Sequence, residues 1–480
     1  MALSKSKFVA GCQCPKLLWW SVHEPLAEEL QPDKVLLDRF DQGRLVGELA
    51  RERFPGGLLI GRTADNQLEQ TQAALASAAP IIFEAGFEAA GVRVAADVLL
   101  RDGDRFTLIE AKSTTSVKDE HTLDAAIQAW VLRESGLPVS RVEVMHLNKD
   151  YRHPGIGELL VRTDVTEAVE AFLPHVAGLV TEFSAMLEGS LPPTPIGAHC
   201  FEPRECPFMN RCWPDDPHHI STLYNTGPKG TVAHMAQGVH SIWDIPAGKK
   251  LPAAAARQLR ALRENRLIVE AGLAQALEPF ERPLGFLDFE TVARAVPVWD
   301  GLAPWGQATA QFSYHEEQPD GTYSHVGWLA EGPGDPRREL AERMIEATRD
   351  AKRIATYSAF EKTRIGELRE LVPDLAEPLG ELLGKLIDLL PVVRNYVYHP
   401  GFKGSFSIKA VLNPLVPDLT YSDLVIVDGL VASVEIARLL FVAHKIPVAE
   451  RDRIRRDLLD YCERDTWAMV RLLERLRALR

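Results

Sequence analysis

The alternation of apolar and polar positions along the chain predicts a mixed α/β protein. Over residues 92–113, two runs of β-branched and apolar residues flank Asp102-Gly103, and Asp-Gly is typical of a tight hairpin turn. Apolar residues at three- and four-residue spacing predict helices around this hairpin, over 32–54, 66–78, 118–135 and a long segment ending near 189. Helices that surround a short sheet are characteristic of α/β folds, so this class is predicted.

One face of the predicted hairpin carries charge. If the turn is centred on Asp102-Gly103, then Asp97, Glu110 and Lys112 share one face, because strand side chains alternate. Asp97 and Glu110 are then diagonal neighbours, about 7–8 Å apart and close enough to bind one divalent ion. A three-residue turn would instead place Asp97 on the opposite face. A solvated outer face and a metal-assisted phosphodiester hydrolysis centre both fit these residues, and the apolar run around Glu110 favours the centre.

A second pattern of strands and helices begins near residue 283. Its first strand carries Asp288 and Glu290 two residues apart, and therefore on one face. The following elements are predicted as strands over 306–317 and 324–331, a helix over 337–350 and a strand over 353–358. An amphipathic helix near residue 460 places Tyr461 and Asp465 one turn apart. Three carboxylates and a tyrosine suit a two-metal site for in-line phosphodiester hydrolysis.

Six cysteines indicate metal or cluster ligation in a reducing compartment rather than disulfides. Cys200, Cys206 and Cys212 are evenly spaced in a proline-rich loop, and three thiolates need a fourth partner. Cys14 is the leading candidate for that partner, with Cys12 in reserve. The spacing lacks the close CxxC steps of most zinc sites, whereas iron–sulfur clusters accept more varied spacing, so spacing alone leaves both metals open.

Length and charge narrow the possibilities further. A chain of 480 residues is too long for one typical core and predicts two or three domains. The formal net charge of −13 argues mildly against a large generic nucleic-acid surface, but not against a nuclease with a local basic groove. No apolar run reaches the roughly 18 residues that span a bilayer, and the first residues lack a signal-peptide pattern, so a cytoplasmic location is expected.

Residues 1–213 resemble the RecB-like, PD-(D/E)XK nucleases with an iron–sulfur staple, which include the CRISPR-adaptation exonucleases and AddB-type nuclease domains. The resemblance rests on LSKSKFVAGCQCPKLLWW, the Asp97…EAK triplet, Gln128 on the next helix and the late cysteines. It implies that Asp97 and Glu110 bind Mg²⁺ or Mn²⁺, that Lys112 orients or activates the attacking water, and that Gln128 belongs to the catalytic set.

The same resemblance implies a 4Fe–4S cluster, with zinc as the alternative, on four residues: Cys14, Cys200, Cys206 and Cys212. Two departures from the family pattern are visible. The tyrosine that usually follows the helix glutamine by four residues is Leu132, and the late cysteines lack the common CxxC step. An early acidic or histidine metal ligand is also expected, and Glu48 is the best match.

Residues 283–480 resemble the ribonuclease-H-like, DnaQ-type exonucleases of the DEDDy kind. The second motif of that family matches YSAFE at 357–361, with glutamate in place of aspartate. The resemblance implies that two metals are bound by four residues: Asp288, Glu290, Glu361 and Asp465. Tyr461 would position the attacking water, and Asp388 is an alternative fourth carboxylate. The whole layout is similar to a bacterial family whose C-terminal part is a domain of unknown function.

Residues 214–282 are predicted to form a helical connector. Two short helical pieces around glycine turns resemble a helix–hairpin–helix module, and a plain linker fits them as well. The function implied by both resemblances is a divalent-metal nuclease for DNA or RNA, exonucleolytic and favouring single-stranded DNA, in repair, processing or anti-phage defence. The alternative is an iron–sulfur binding or scaffold protein in which one or both nuclease centres are degenerate.

Overall fold

The computed structural model describes residues 3–61, 66–246 and 248–480. The chain divides into two compact units. The first unit comprises the residues up to Pro214 together with Arg294–Gly306. The second unit comprises Asp215–Ala293 and Gln307–Arg480, so the predicted connector falls almost wholly within it. Both units mix helices with sheets, as the pattern of the sequence predicts.

The elements of the first unit follow the predicted order. Its strands are β1 Leu3–Ser4, β2 Leu58–Leu59, β3 Ile81–Ala89, β4 Val92–Asp102, β5 Arg105–Lys112, β6 Val139–Leu147 and β7 Leu160–Asp164. Its helices are α1 Lys5–Gln13, α2 Pro15–His23, α3 Lys34–Glu52, α4 Gln67–Ala76, α5 Asp119–Glu134, α6 Thr166–Leu187 and α7 Met209–Cys212. Helix α3 begins where the Asp33 side chain accepts a 2.7 Å hydrogen bond from the Leu36 amide, an ordinary N-cap.

The first sheet has the strand order β2-β3-β4-β5-β6-β7. Strands β3, β4 and β5 are antiparallel neighbours, whereas β5 and β6 run parallel, joined by α5. The hairpin register corrects the predicted turn: Asp102 pairs with Arg105, so the turn is centred on Gly103-Asp104, one residue later. The correction shifts the register by two and leaves Asp97 on its predicted face.

The beginning of the chain completes this sheet. Strand β1 pairs in parallel with the first residues of β4, Leu3 with Val92, whereas β5 pairs with the last residues of β4. The two strands therefore lie along the same edge of β4, one after the other. As a result, Lys5, the first residue of α1, lies beside the carboxyl end of β5.

The segment Arg294–Gly306 belongs to the first unit although its neighbours in sequence belong to the second. Ala295 is fully buried in a core cluster with residues of α3, β5 and β6. The Arg294 guanidinium donates to Asp38 at 2.7 Å, and Trp305 Nε1 donates to the Ser113 carbonyl at 2.6 Å. These contacts attach the segment to α3 and to the residue that follows β5.

The second unit is also built from both strands and helices. Its strands are β8 Ile268–Val269, β9 Gly285–Ala293, β10 Gln307–Glu317, β11 Tyr323–Leu329, β12 Ile354–Thr356, β13 Leu386–Asp388 and β14 Val397–Tyr398. Its helices are α8 Gly227–Ala236, α9 Ala253–Glu264, α10 Leu273–Ala276, α11 Arg337–Ala347, α12 Phe360–Leu371, α13 Ala376–Lys385, α14 Leu390–Tyr396, α15 Ile408–Leu415, α16 Gly429–Phe441 and α17 Val448–Ala478.

The main sheet of the second unit has the order β11-β10-β9-β12-β13. The first three strands are antiparallel neighbours, and β9, β12 and β13 run parallel to one another. The long helix α17 packs across β9, β10 and β11, and α16 packs on β9. A small sheet of β8 and β14 links the connector to the rest of this unit. Within the described ranges, no helix is both long and apolar enough to cross a membrane.

Candidate functional site

Glu110 lies at the centre of a group of charges in the first unit. Its carboxylate is buried and accepts hydrogen bonds from Lys5 Nζ at 2.6 Å, Lys112 Nζ at 2.8 Å and Gln128 Nε2 at 2.8 Å. Lys112 also donates to Asp124, which lies on α5 one turn before Gln128. The structure thus brings together residues from α1, β5 and α5. With Asp97, these residues are called the first centre below.

Asp97 faces the same group from the neighbouring strand. Val98 pairs with Ile109 in the hairpin, and continuing this register places Asp97 opposite Glu110. Asp97 Oδ2 accepts a hydrogen bond from the Ala111 amide at 2.9 Å, so its side chain takes the place of a ladder acceptor. Burial raises the pKa of Asp97 to about 7, and the negative charge of Glu110 adds to the rise.

The lysines control the charge of Glu110. Burial raises the pKa of its carboxyl, but the charges of Lys112 and Lys5 outweigh burial, so the net pKa lies well below the ordinary value. Burial conversely lowers the pKa of Lys112, whereas Glu110 and Asp124 raise it, and the net shift is upward. Glu110 and Lys112 therefore stay ionised at neutral pH.

A cavity of about 830 Å³ opens onto the first centre. Lys5, Lys112 and Asp124 lie on its wall, and Glu48 contributes an exposed carboxylate from α3. Its further basic lining residues are Arg39, Arg44, Arg51 and Arg204. The cavity is therefore lined by both acids and cations, and Glu48 lines the same cavity as Lys112 and Asp124 of the first centre.

The four cysteines predicted as ligands line one small pocket, between α2, the loop before α7 and α7 itself: Cys14, Cys200, Cys206 and Cys212. Burial raises the pKa of Cys206 to about 11, and the charges of the other three cysteines add to the rise. The four thiols are therefore close together. The Gly197 amide points at Cys200 Sγ, 3.5 Å away. Cys12 packs against the main core of the first unit instead, so the geometry favours Cys14 as the early member.

In the second unit, Asp288 and Glu290 on β9 meet Asp465 on α17. One carboxylate oxygen from each residue lies within 4.8 Å of the others. This group of three is called the second centre below. Burial raises the pKa of Asp288 and Glu290 well above the ordinary value, and the charge of Asp465 is the next cause for both. A divalent ion would replace this mutual repulsion by attraction, since carboxylate oxygens are its preferred ligands.

Tyrosines and one lysine surround the second centre. Tyr421 donates its hydroxyl proton to Asp465 Oδ1 at 2.5 Å. Lys409 Nζ donates to the Tyr461 hydroxyl at 2.9 Å and to the Val427 carbonyl at 2.6 Å. Lys409 therefore fixes the Tyr461 hydroxyl. Tyr461 also lies close to Asp465, as their spacing of one helical turn predicts.

Glu361 does not join the group of three. It lies in the first turn of α12, and burial raises its pKa to about 7, with Asp388 contributing. Its charge also raises the pKa of Asp288, so the two carboxylates are near each other. Ser358, at the turn before α12, has a φ of 144°, a conformation that is costly for a residue with a side chain. This strained turn directly precedes the helix that carries Glu361.

The comparisons with known proteins leave the function open. A family model described as "Domain of unknown function (DUF2779)" matches residues 285–407. That stretch includes the strand with Asp288 and Glu290 but ends before Asp465, and it is less than half of the chain. No curated protein matches. This chain is also similar to a solved structure titled "Crystal structure of SSO0001", with 14% sequence identity and a TM-score of 0.25. The alignment covers 44% of this chain and 85% of the solved chain.

Several residues at the two centres were not assigned from the sequence. In the first unit these are Lys5, Glu84 and Asp124. In the second unit these are Lys409, Tyr421 and Cys462, whose thiol points at Asp288 Oδ2 from 3.8 Å. Glu84 follows Phe83 on β3, has a φ of 57° and lines a pocket with Asp97. Asp124 carried a signal, because it precedes Gln128 by one helical turn, and Cys462 directly follows Tyr461 on α17. Lys5, Lys409 and Tyr421 are brought in by long-range contacts.

Proposed function

We propose that the protein is a divalent-metal-dependent nuclease with two hydrolytic centres. The observation that carries the proposal is that, in each unit, acids far apart in sequence converge beside a fixed lysine or tyrosine. Buried acids that repel one another are costly to keep unless they bind a cation. Enzymes that hydrolyse phosphodiesters commonly use carboxylates that bind Mg²⁺ or Mn²⁺ beside a proton-transfer group.

In the first unit, a PD-(D/E)XK nuclease is proposed. Asp97 and Glu110 would hold Mg²⁺ or Mn²⁺, with Glu48 as an outer ligand on the cavity wall. The ion would lower the pKa of bound water and polarise the phosphate. Lys112 holds Glu110 and Asp124 together and would orient the attacking water, while Gln128 fixes the second oxygen of Glu110.

In the second unit, a ribonuclease-H-like exonuclease of the DEDDy kind is proposed. Its support is the sheet order, with three antiparallel strands followed by two parallel ones, and acids on the central strand β9. Asp288, Glu290 and Asp465 would hold one ion, and Tyr461 would position the attacking water. Glu361 would reach a second ion, and Asp388 beside it is the alternative ligand.

The cysteine pocket is proposed to hold a 4Fe–4S cluster that fastens the late loop to α2. A tetrahedral zinc ion with bonds of about 2.3 Å to sulfur keeps its ligand atoms about 3.8 Å apart. Within the described residues, the sets of three or more ligand atoms within 4.8 Å of one another do not include these thiols. Their wider spacing supports a larger metal group over zinc, and free thiols grouped in this way fit a reducing, cytoplasmic compartment.

The proposed substrate is DNA or RNA, and a single strand is favoured. The basic residues on the walls of the first cavity support it, because arginine and lysine side chains can pair with backbone phosphates without reading sequence. An exonuclease in DNA processing, repair or anti-phage defence fits both centres. A scaffold with a degenerate second centre is the competing candidate, and the position of Glu361 outside the group of three favours it.

The test uses full-length protein purified without oxygen. Cleavage of end-labelled single- and double-stranded DNA and RNA is followed with Mg²⁺ or Mn²⁺ and with chelator. Lys112→Met and Asp465→Asn should each lower one metal-dependent activity by about 10²-fold or more, the usual contribution of a proton-transfer or charge-stabilising group. The double variant should lose both activities.

Matched controls separate chemistry from folding. Lys118→Met changes an exposed lysine before α5, and Asp460→Asn changes an exposed acid on α17, so both should cleave like wild type. Loss in only one active-site variant would leave the other unit as a binding module. An intact, cluster-loaded wild type that cleaves none of the substrates would overturn the proposal in favour of the scaffold.

A further inference from the structure

A second group of possible ligands lies in the second unit, apart from the acids on β9. His315 on β10 and His325 on β11 are direct cross-strand partners, and Glu463 lies on α17. One ligand atom from each lies within 4.8 Å of the other two. His315 is buried, whereas His325 and Glu463 are exposed to solvent. These three residues are called the histidine site below.

Hydrogen bonds around the histidine site determine where its protons lie. The Thr466 hydroxyl donates to the Glu463 carbonyl at 3.0 Å, so it accepts from its neighbours, Ser313 Oγ at 2.7 Å and His315 Nδ1 at 2.8 Å. Ser313 Oγ, having donated its proton to Thr466, accepts from His325 Nε2 at 3.0 Å. Each ring therefore carries its proton on the nitrogen that faces a hydroxyl, which leaves a lone pair on His315 Nε2 and on His325 Nδ1.

The free nitrogen of His325 faces the carboxylate. His325 Nδ1 and Glu463 Oε2 are 3.7 Å apart, too far for a hydrogen bond. Two ligands of one tetrahedral zinc ion, each about 2.0–2.1 Å from it, lie about 3.4 Å apart. A metal ion bound by both of these atoms therefore needs only a small contraction of this pair. A hydrogen bond from each metal-binding imidazole to an oxygen acceptor is also the usual way in which such rings are oriented.

We propose that His315, His325 and Glu463 bind one divalent transition-metal ion, Zn²⁺ in preference to Mg²⁺, at a position distinct from the second centre. Two imidazole nitrogens and one carboxylate select a borderline metal, whereas Mg²⁺ and Ca²⁺ prefer oxygen ligands. Burial lowers the pKa of His315 to about 4, and the charge of His325 contributes, so His315 is already neutral at neutral pH.

Metal at the histidine site would join two parts of the fold. It would attach the β10–β11 hairpin to α17 between Tyr461 and Asp465, the two residues that this helix contributes to the second centre. The ion would thereby brace the helix that carries those residues. The binding proposal stands on the ligand geometry alone and holds whether or not the protein cleaves nucleic acid.

The test is a Co²⁺ titration of the full-length protein with its cysteine group loaded, any affinity tag removed, and Mg²⁺ in large excess. Co²⁺ stands in for Zn²⁺ because its ligand-field absorption reports nitrogen and oxygen ligands, whereas thiolate binding adds intense charge-transfer absorption. One equivalent is expected to bind, and Zn²⁺ is expected to displace it. His325→Ala and Glu463→Gln should weaken binding by about 100-fold, and His240→Ala, an exposed histidine of the same unit, should not.

A positioning variant checks the network. Thr466→Val removes the acceptor of His315 Nδ1 and should weaken Co²⁺ binding by about tenfold. Its circular dichroism and melting temperature without metal show whether the fold is retained, and Ser313→Ala serves if Thr466→Val does not fold. Co²⁺ affinity that is unchanged in His325→Ala and Glu463→Gln, or no binding to wild type, would overturn the proposal.

Discussion

Carboxylates meet lysines in the first unit, whereas in the second they meet one another. Glu110 is held between Lys5 and Lys112, and its pKa lies well below the ordinary value despite burial. Asp288 and Glu290 are held against Asp465, and burial together with that charge raises their pKa well above it. Both groups are arranged for a cation; in the first, lysines donate directly to the carboxylate, whereas in the second Lys409 donates to Tyr461.

This difference affects the protonation and ion pairing of each centre in the absence of metal. In the first centre, Glu110 is ionised and paired, so metal has to compete with two ammonium groups. In the second centre, the raised pKa values of Asp288 and Glu290 favour their protonated forms, so metal binding competes with protons. In the first centre, the lysines stabilise the ionised Glu110 within the fold. In the second centre, the acids repel one another, and a bound ion would relieve that repulsion.

The largest expected effect comes from removing one acid in each unit. Glu110→Gln leaves Asp124 as the only acid that still pairs with both Lys5 and Lys112 among the described ion pairs, and should destabilise the first unit by about 3 kcal/mol. Glu290→Gln removes one of three crowded charges, so the metal-free second unit should be as stable as wild type or more stable. Hydrogen–deuterium exchange of peptides from β5 and β9 without metal measures each unit separately. Equal destabilisation by both variants would show that the two groups do not differ in this way.

Lys5 sharpens the comparison at the level of activity. Its ammonium lies 2.6 Å from Glu110 and 3.7 Å from Asp124, so Lys5 pairs with the same two acids as Lys112. Lys5→Met should lower single-turnover cleavage by the first centre by about 10²-fold and leave the activity of the second centre unchanged. Lys7→Met, on the same helix, is the control and should have wild-type activity. A loss of the same size in both variants would assign the effect to α1 rather than to Lys5.

The stability of the second unit should depend on pH more steeply without metal than with saturating Mg²⁺. Because the folded pKa of Asp288 and Glu290 is raised, their contribution is fully present below about pH 4, the ordinary carboxyl pKa, and is lost as pH rises through the raised values. Each retained proton gives a slope of about 1.4 kcal/mol per pH unit. Protection factors of α17 peptides, measured from about pH 4 upward with and without Mg²⁺, report this slope. The slope should vanish in Asp288→Asn/Glu290→Gln; a slope that survives there has another source.

Lys409 gives the smallest expected effect. It donates to Tyr461 and its charge lowers the pKa of Glu290, though less than burial raises it. Lys409→Met should slow the exonuclease step by about fivefold, about 1 kcal/mol, because Tyr461 is still held by α17. Lys445→Met, an exposed lysine after α16, is the control. A loss of 10²-fold in steady-state cleavage would instead place Lys409 among the reacting groups.

Short periodicities carried most of the successful prediction. Asp288 and Glu290 share a face because strands alternate, and Tyr461 and Asp465 share one because helices repeat every 3.6 residues. The Asp-Gly signal located the hairpin of β4 and β5 but placed its turn one residue early. The even shift kept Asp97 on the right face, so that error had no consequence for the site.

Contacts between distant residues account for what the sequence left out. Lys5 reaches Glu110 across 105 positions, because β1 and β5 share one edge of β4. Tyr421 lies outside any regular element, so no period marks it before it meets Asp465. Glu84 shows a third cause, because its positive φ departs from the strand that its neighbours form. The local pattern of apolar and polar residues predicts none of these three features.

The course of the chain through Arg294–Gly306 has a consequence for synthesis. The first unit contains this segment, so the ribosome has to add about 90 further residues after Pro214 before the last part of that unit exists. At about 5–20 residues per second, the delay is about 5–20 s, during which the core around Ala295 is incomplete. A stop after residue 214 would produce a fragment that lacks Ala295 and Trp305. The two units are therefore interleaved in the reading frame, and a single cut in the gene does not separate them.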